Sequence, residues 1–223
     1  MTSLTTIYQK ALRSIDDPEL TVLMEVGREI ELYKMMHEYW ENAWPRFDNP
    51  FIVAVTLRTS VCPHDNLVED FPADGITQTF EIPEEFDLTR ANCLYEFREN
   101  GKVTTATIED GEVTFANLLP LGDVYTMEQY FIGGADLSSF AGWEQPKIID
   151  ILSMLVVRAW GEELRNYLLG KQNILNTPDF PLHSNASNTQ ANEAWLKNMD
   201  SQIAQYMNQF SWQRRVVMKG AIQ

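Results

Sequence analysis

Few side chains in this sequence stand at the spacings that chemistry needs. Cys62-Pro63-His64 sets a thiol and an imidazole two positions apart, the nearest approach to a metal-binding or nucleophilic pair. A structural zinc wants four ligands, and Cys93 is the only other cysteine, so the expected role is a small buried or turn-lining thiol. His37 falls on the apolar face of a helical pattern with no second ligand at metal-binding spacing, and is expected in a core or an interface. Glu84-Glu85 and Asp16-Asp17 are sequence neighbours whose side chains cannot converge as a general acid and base; they suit turns and helix starts. No glycine-rich phosphate loop follows a strand, and no Gly-x-Ser-x-Gly elbow occurs. The residues nominate no catalytic group, no metal ligand and no cofactor. The expectation is a chain that is not an enzyme.

One local feature points instead to a partner. From Ser211 to Lys219 the chain carries three cations and no acid, interleaved with Trp212, Val216, Val217 and Met218. Cations near a helix C-terminus complement its dipole, worth a few tenths of a kcal/mol each. A tryptophan flanked by arginines is also the composition of an interface anchor. Trp212, Arg214, Arg215 and Lys219 are therefore the candidate docking residues.

Composition narrows the class. The 223 residues are 44% apolar, enough for a real core, and the formal charge is −15. Such acidity argues against gripping nucleic acid, which needs a basic face. Two cysteines make no disulfide framework, so a reducing compartment is expected, and the first residues show no signal-peptide pattern. Glu69, Asp70, Asp74, Glu81, Glu84, Glu85 and Asp87 form an acidic run that reads as a solvated face.

Helical patterns occupy both ends. Leu4, Ile7, Tyr8, Ala11, Leu12 and Ile15 form one short stripe. A second pattern restarts at Asp16-Asp17-Pro18-Glu19, with capping acids and a first-turn proline, and runs to Pro45. The most apolar stretch, from Pro146 to Gly170, carries Ile148, Ile151, Leu152, Leu155, Ala159 and Trp160 on one face. Ile149, Met154, Val156 and Val157 widen that face, so burial on most sides is expected. It is too polar at its ends to span a bilayer. A last helix over 188–210 shows one stripe, Ala191, Ala194, Trp195, Met199, Ile203, Tyr206, Met207 and Phe210, and should pair with it as an antiparallel hairpin.

The middle changes period. Residues 51–57 and 77–82 are strand-like, and Asn100-Gly101 and Asp110-Gly111 are strong signals for tight hairpins. They imply a meander over 93–98, 102–108, 112–117 and 124–132, and about six strands in all, enough for a small sandwich. The fold class is α+β: N- and C-terminal helices forming a helical bundle, with an inserted antiparallel β-sandwich-like domain. Residues 1–49 and 136–223 would form the helical core, and 50–135 the β insertion.

Four motifs in order carry a family resemblance. Thr6-Ile7-Tyr8-Gln9-Lys10-Ala11-Leu12-Arg13-Ser14-Ile15-Asp16-Asp17 with Trp44-Pro45-Arg46-Phe47 resembles the start of head–tail connector (neck, adaptor) proteins of tailed bacteriophages. The stretch from Ile148 to Trp160 resembles that family's apolar helix ending in tryptophan, Leu175 to Ala186 its connecting loop, and Arg214-Arg215 its basic finish. The resemblance covers both helical ends, somewhat over half the chain; the β insertion departs from shorter members. Within it, residues 109–118 with Val124-Tyr125 are similar to repeats in prealbumin-like sandwiches.

The resemblance implies a structural virion protein, made in the host cytoplasm and resident in the neck. It would form a homo-oligomeric ring, a dodecamer, between the portal protein and the tail or a second neck protein. Genomic DNA would pass through the lumen without specific binding, and no membrane is involved. The Trp212–Lys219 arm would reach the portal and order on docking. Two rival classes are a carbohydrate- or protein-binding module on a helical stalk, and an enzyme built around His64 or His183.

Overall fold

The computed structural model describes residues 2–15, 17–25, 27–46, 61–62, 65–135, 137–138, 140–175 and 183–220. In chain order the helices are α1 (Leu4–Leu12), α2 (Pro18–Glu25), α3 (Glu29–Ala43), α4 (Glu144–Leu175) and α5 (His183–Gly220), with a 3-10 turn at Trp44–Arg46. The strands are β1 (Thr2–Ser3), β2 (Val61–Cys62), β3 (Asp65–Pro72), β4 (Thr79–Glu81), β5 (Cys93–Glu99), β6 (Lys102–Thr104), β7 (Ala106–Glu109), β8 (Glu112–Phe115), β9 (Val124–Phe131) and β10 (Gly134–Ala135). The α+β class is as expected. The strand expected over 51–57, His64 and most of the connecting loop lie outside the described residues.

α1 buries Leu4, Ile7, Tyr8 and Ala11, the stripe its spacing specifies. The single helix expected from Asp16 to Pro45 is instead two. Gly27 takes φ +73°, its N–H reaches Met24 O at 3.4 Å, and the Arg28 N–H reaches Leu23 O at 3.0 Å. That pair of bonds is a Schellman closure, which needs a left-handed residue and so a glycine. The apolar spacing ran on through the break and concealed it. A Cβ at Gly27 would meet no atom within 4 Å, so Gly27→Ala tests backbone strain alone. It is expected to cost about 1 kcal/mol in urea unfolding, and Gly27→Asn less.

The helical hairpin is antiparallel as expected: Trp160 packs edge-on against Trp195, Arg158 bonds Asp200 at 2.5 Å, and Trp143 lies against Phe210. Two bounds are corrected. α4 runs through Gly170, since an internal glycine costs a helix only about 1 kcal/mol. α5 extends beyond 188–210 at both ends. Leu196, absent from the expected stripe, is buried, while Ala191, Ala194 and Tyr206 are exposed. Arg158 also bonds Glu162 at 2.5 Å, and Glu162 receives Arg46 at 2.8 Å, tying the end of α3 to the hairpin.

Both tight hairpins are present. Asn100 and Gly101 have φ of 50° and 75°, Asp110 and Gly111 of 51° and 84°, the doubly positive pair of a primed turn. The meander between them is corrected. The expected strand over 102–108 breaks at Thr105: β6 pairs with β5, and β7 crosses to pair with β8. β9 then returns to lie between β3 and β5. Among the described residues this gives one sheet ordered β3-β9-β5-β6, a second ordered β4-β8-β7, and a small β1-β10-β2 sheet, all antiparallel. The first two sheets close over Phe71, Val113, Phe115, Tyr125 and Met127.

The other face of the first sheet meets α3. Tyr125 and Met127 belong to the sandwich interior, but Tyr130, on the opposite face of the same strand, belongs to the helical core with Ile132 and Leu137. The layers therefore run second sheet, first sheet, α3, α4, α5. A single strand serves two cores.

Candidate functional site

The candidate docking residues all fall on the last turns of α5. Its buried seam is Leu196, Ile203 and Phe210, one residue every seven, each nearly inaccessible. The next position in that series is Val217, which is 51% exposed. The reason is the length of the partner. Phe210 already lies against Trp143, immediately before α4 begins at Glu144. The ten residues that follow carry α5 about 15 Å past that point.

This overhang keeps an apolar stripe without α4 to cover it. Trp212 is 65% exposed, and Val216 and Arg215 are exposed beside it. Trp212, Arg215 and Val216 occur at i, i+3 and i+4, so the helix aligns them on one face. Two of the four candidates, Trp212 and Arg215, thus share an exposed face, and Arg214 and Lys219 lie on the same turns of the helix. It also corrects the arm's expected state. Residues 211–220 are helix already, continuous with the hairpin, rather than a segment that orders on docking.

A second constellation lies between α3 and the first sheet, and the sequence did not single it out. Glu96 on β5 and Glu128 on β9 stand directly opposite in the strand register, and both are buried, Glu128 to 1% exposure. Arg98 bridges them: its Nε donates to Glu96 Oε1 at 2.6 Å and a terminal nitrogen donates to Glu128. The Lys34 ammonium, from α3, donates to the other Glu128 oxygen and sits 5.9 Å from the Tyr130 ring centre. Two cations thus meet two carboxylates. Burial lowers and the carboxylates raise the Arg98 guanidinium, with a net shift upward.

Beside this cluster the Tyr8 hydroxyl is 2.9 Å from His37 Nδ1, and Glu41 Oε1 is 3.2 Å from Nε2. Burial, with Tyr130 and Glu41 adding to it, pushes the Tyr8 phenol far above its ordinary range. The phenol therefore stays protonated within hydrogen-bond distance of Nδ1. His37 is buried, as expected of it. Burial pushes the Tyr130 phenol up to about 12. An open cleft of about 680 Å³ runs past Lys34, His37, Glu41, Asn66 and Tyr130.

Chemically the arrangement clamps more than it reacts. Each buried carboxylate already holds a cation, and the Lys34–Glu128 pair fastens α3 to the sheet. The signal that could have found it is period two: Glu96 and Arg98 share the face opposite Tyr95 and Phe97, and Glu128 shares that of Tyr130. Only the β5–β9 register joins the two sets.

The remaining candidates disperse. Glu84 and Glu85 are exposed turn residues. Asp17 accepts from the Trp160 indole N–H at 2.8 Å, tying the start of α2 to α4. Cys93 Sγ is 3.5 Å from Gln129 Nε2, and burial raises its thiol. His183 begins α5, far along the chain from the clamp. Among the described residues no three His, Cys, Asp or Glu side chains gather as a metal site, and no helix is long and apolar enough to cross a membrane. Comparison with models of known protein families, with characterised proteins and with solved structures finds no match to this chain.

Proposed function

We propose that this chain is a structural virion protein, a head–tail connector (adaptor) subunit of a tailed bacteriophage. In this reading it forms a dodecameric ring in the neck, between the portal protein and the tail or a second neck protein, and is not an enzyme. The observation that carries the reading is the α5 overhang: a helix end with an exposed apolar stripe, in a basic stretch of sequence, projected past its own hairpin. Such a stripe needs a partner, and the portal is the partner the resemblance implies.

The charge agrees with a conduit. A ring multiplies the −15 of each subunit, so DNA passing through the lumen finds few cations to neutralise its phosphates and slides without specific binding. The shared strand weighs against the rival module on a stalk. β9 contributes Tyr125 to one core and Tyr130 to the other, so the sandwich is built into the helices.

The test is portal docking. With portal rings from the same virus, the full chain should assemble a second ring visible by negative-stain microscopy. Trp212→Ala is expected to weaken docking by about 2 kcal/mol or more, and truncation after Phe210 to abolish it. Assembly that proceeds unchanged with the truncated chain overturns the proposal.

A further inference from the structure

The two most exposed large apolar side chains among the described residues are Ile76, at 84%, and Leu121, at 80%. They occupy touching loops at one end of the sandwich. The Ala73 N–H bonds Asp123 O at 2.9 Å, the Gly122 N–H bonds Ala73 O at 3.2 Å, and a Cβ on Gly75 would lie 3.6 Å from the Leu121 nitrogen. A pair of protruding aliphatic side chains is a feature that solvent does not favour.

The rim of this tip is acidic. Asp74 accepts from Thr77 Oγ1 at 2.7 Å and from the Thr77 and Ile76 N–H groups at 2.6 and 2.8 Å. Those bonds hold its carboxyl down to about 2, so it is an anion at every working pH. Asp123 lies on the adjoining loop, and Glu99 is bonded to Asn117 beside it.

The complementary surface is on the helices. Two adjoining depressions of about 420 and 310 Å³ run between α1, α4 and α5 and share Lys10 and Asp150. Ile149, Met154, Val157 and Met199 supply apolar lining, and Lys10 and Arg13 supply a basic edge. Lys10 is paired with Asp150, and Arg13 is exposed on the same edge of the groove. The groove is lined mainly by helical residues and the tip is formed by sandwich loops, with α3 layered between the sheet and α4.

We infer that the Ile76–Leu121 tip of one copy docks into the α1/α4/α5 groove of a second copy of this chain. Convex meets concave, aliphatic meets aliphatic, and an acidic rim meets a basic one. The contact is heterologous, using different surfaces on the two copies, so repetition closes into a ring or runs on as a filament. The area is small, so each contact is weak and closure of the ring supplies the avidity. This deepens the ring-subunit reading and rests on it, and it assigns the β insertion a task.

Sedimentation velocity of the full chain over a concentration series tests it. The chain should self-associate. The double variant Ile76→Ser/Leu121→Ser, altered only at exposed positions, should weaken association by about tenfold or more. Asp74→Lys and Arg13→Glu should each weaken it, and the two combined should recover part of the loss, because the charges are then exchanged. A chain that stays monomeric throughout, or variants that associate as the parent does, overturn the inference. So does loss of portal docking in the tip variants with self-association unchanged, which would make the portal the occupant. Portal docking through α5 is scored separately. Self-association lost with docking kept removes this inference alone; docking absent with self-association kept removes the connector reading alone.

Discussion

Arg98→Met should lower stability by about 3–5 kcal/mol at neutral pH, the cost of stranding a buried charge. Methionine keeps most of the arginine's length and apolar contact, so the loss is electrostatic. Glu96 then has no cation, and Glu128 keeps only Lys34, while the two carboxylates still face each other across β5 and β9. Urea unfolding of parent and variant at neutral pH reads the effect, and a deficit under about 1 kcal/mol would show that the cluster is not a clamp.

Gly161→Ala should also destabilise, by about 1–3 kcal/mol, although alanine is ordinarily the better helix residue. A Cβ there would lie 2.1 Å from Trp195 Cζ3 and 2.9 Å from Cη2. Trp195 is held edge-on against Trp160, with ring centres 6.0 Å apart, and Trp160 is held in turn by Asp17. For the new methyl to fit, the indole must leave its place between the two helices. In a Trp195→Ala background the clash is gone and only the helix preference is left, so the same substitution should become stabilising by up to about 1 kcal/mol. A double-mutant cycle measures that reversal. A Gly161→Ala cost that is identical in both backgrounds would sink the explanation.

Several elements were legible because their causes are local. The α1 stripe, the apolar face of α4 and the paired positive φ values at Asn100-Gly101 and Asp110-Gly111 depend on residues a few positions apart. The same locality misled at Gly27. Apolar spacing continues unbroken across it, while the left-handed closure depends on bonds back to Leu23 and Met24. The docking residues at the end of α5 could be nominated from composition. Their exposure could not, because it depends on where α4 begins relative to Phe210.

By itself the sequence determined the helical ends, the turns, the α+β class and the acidic surface, all functions of composition and short-range period. Tertiary structure alone decided which strands became neighbours. A strand's pattern says which face is buried but not which partner lies beside it, so neither the switch of sheets at Thr105 nor the return of β9 between β3 and β5 was readable. Those pairings set Glu96 against Glu128, gave Tyr125 and Tyr130 to different cores, and brought the loop of Ile76 against that of Leu121. The first and last of these join residues tens of positions apart. Burying both faces of the first sheet, against the second sheet and against α3, is the long-range condition that selects them.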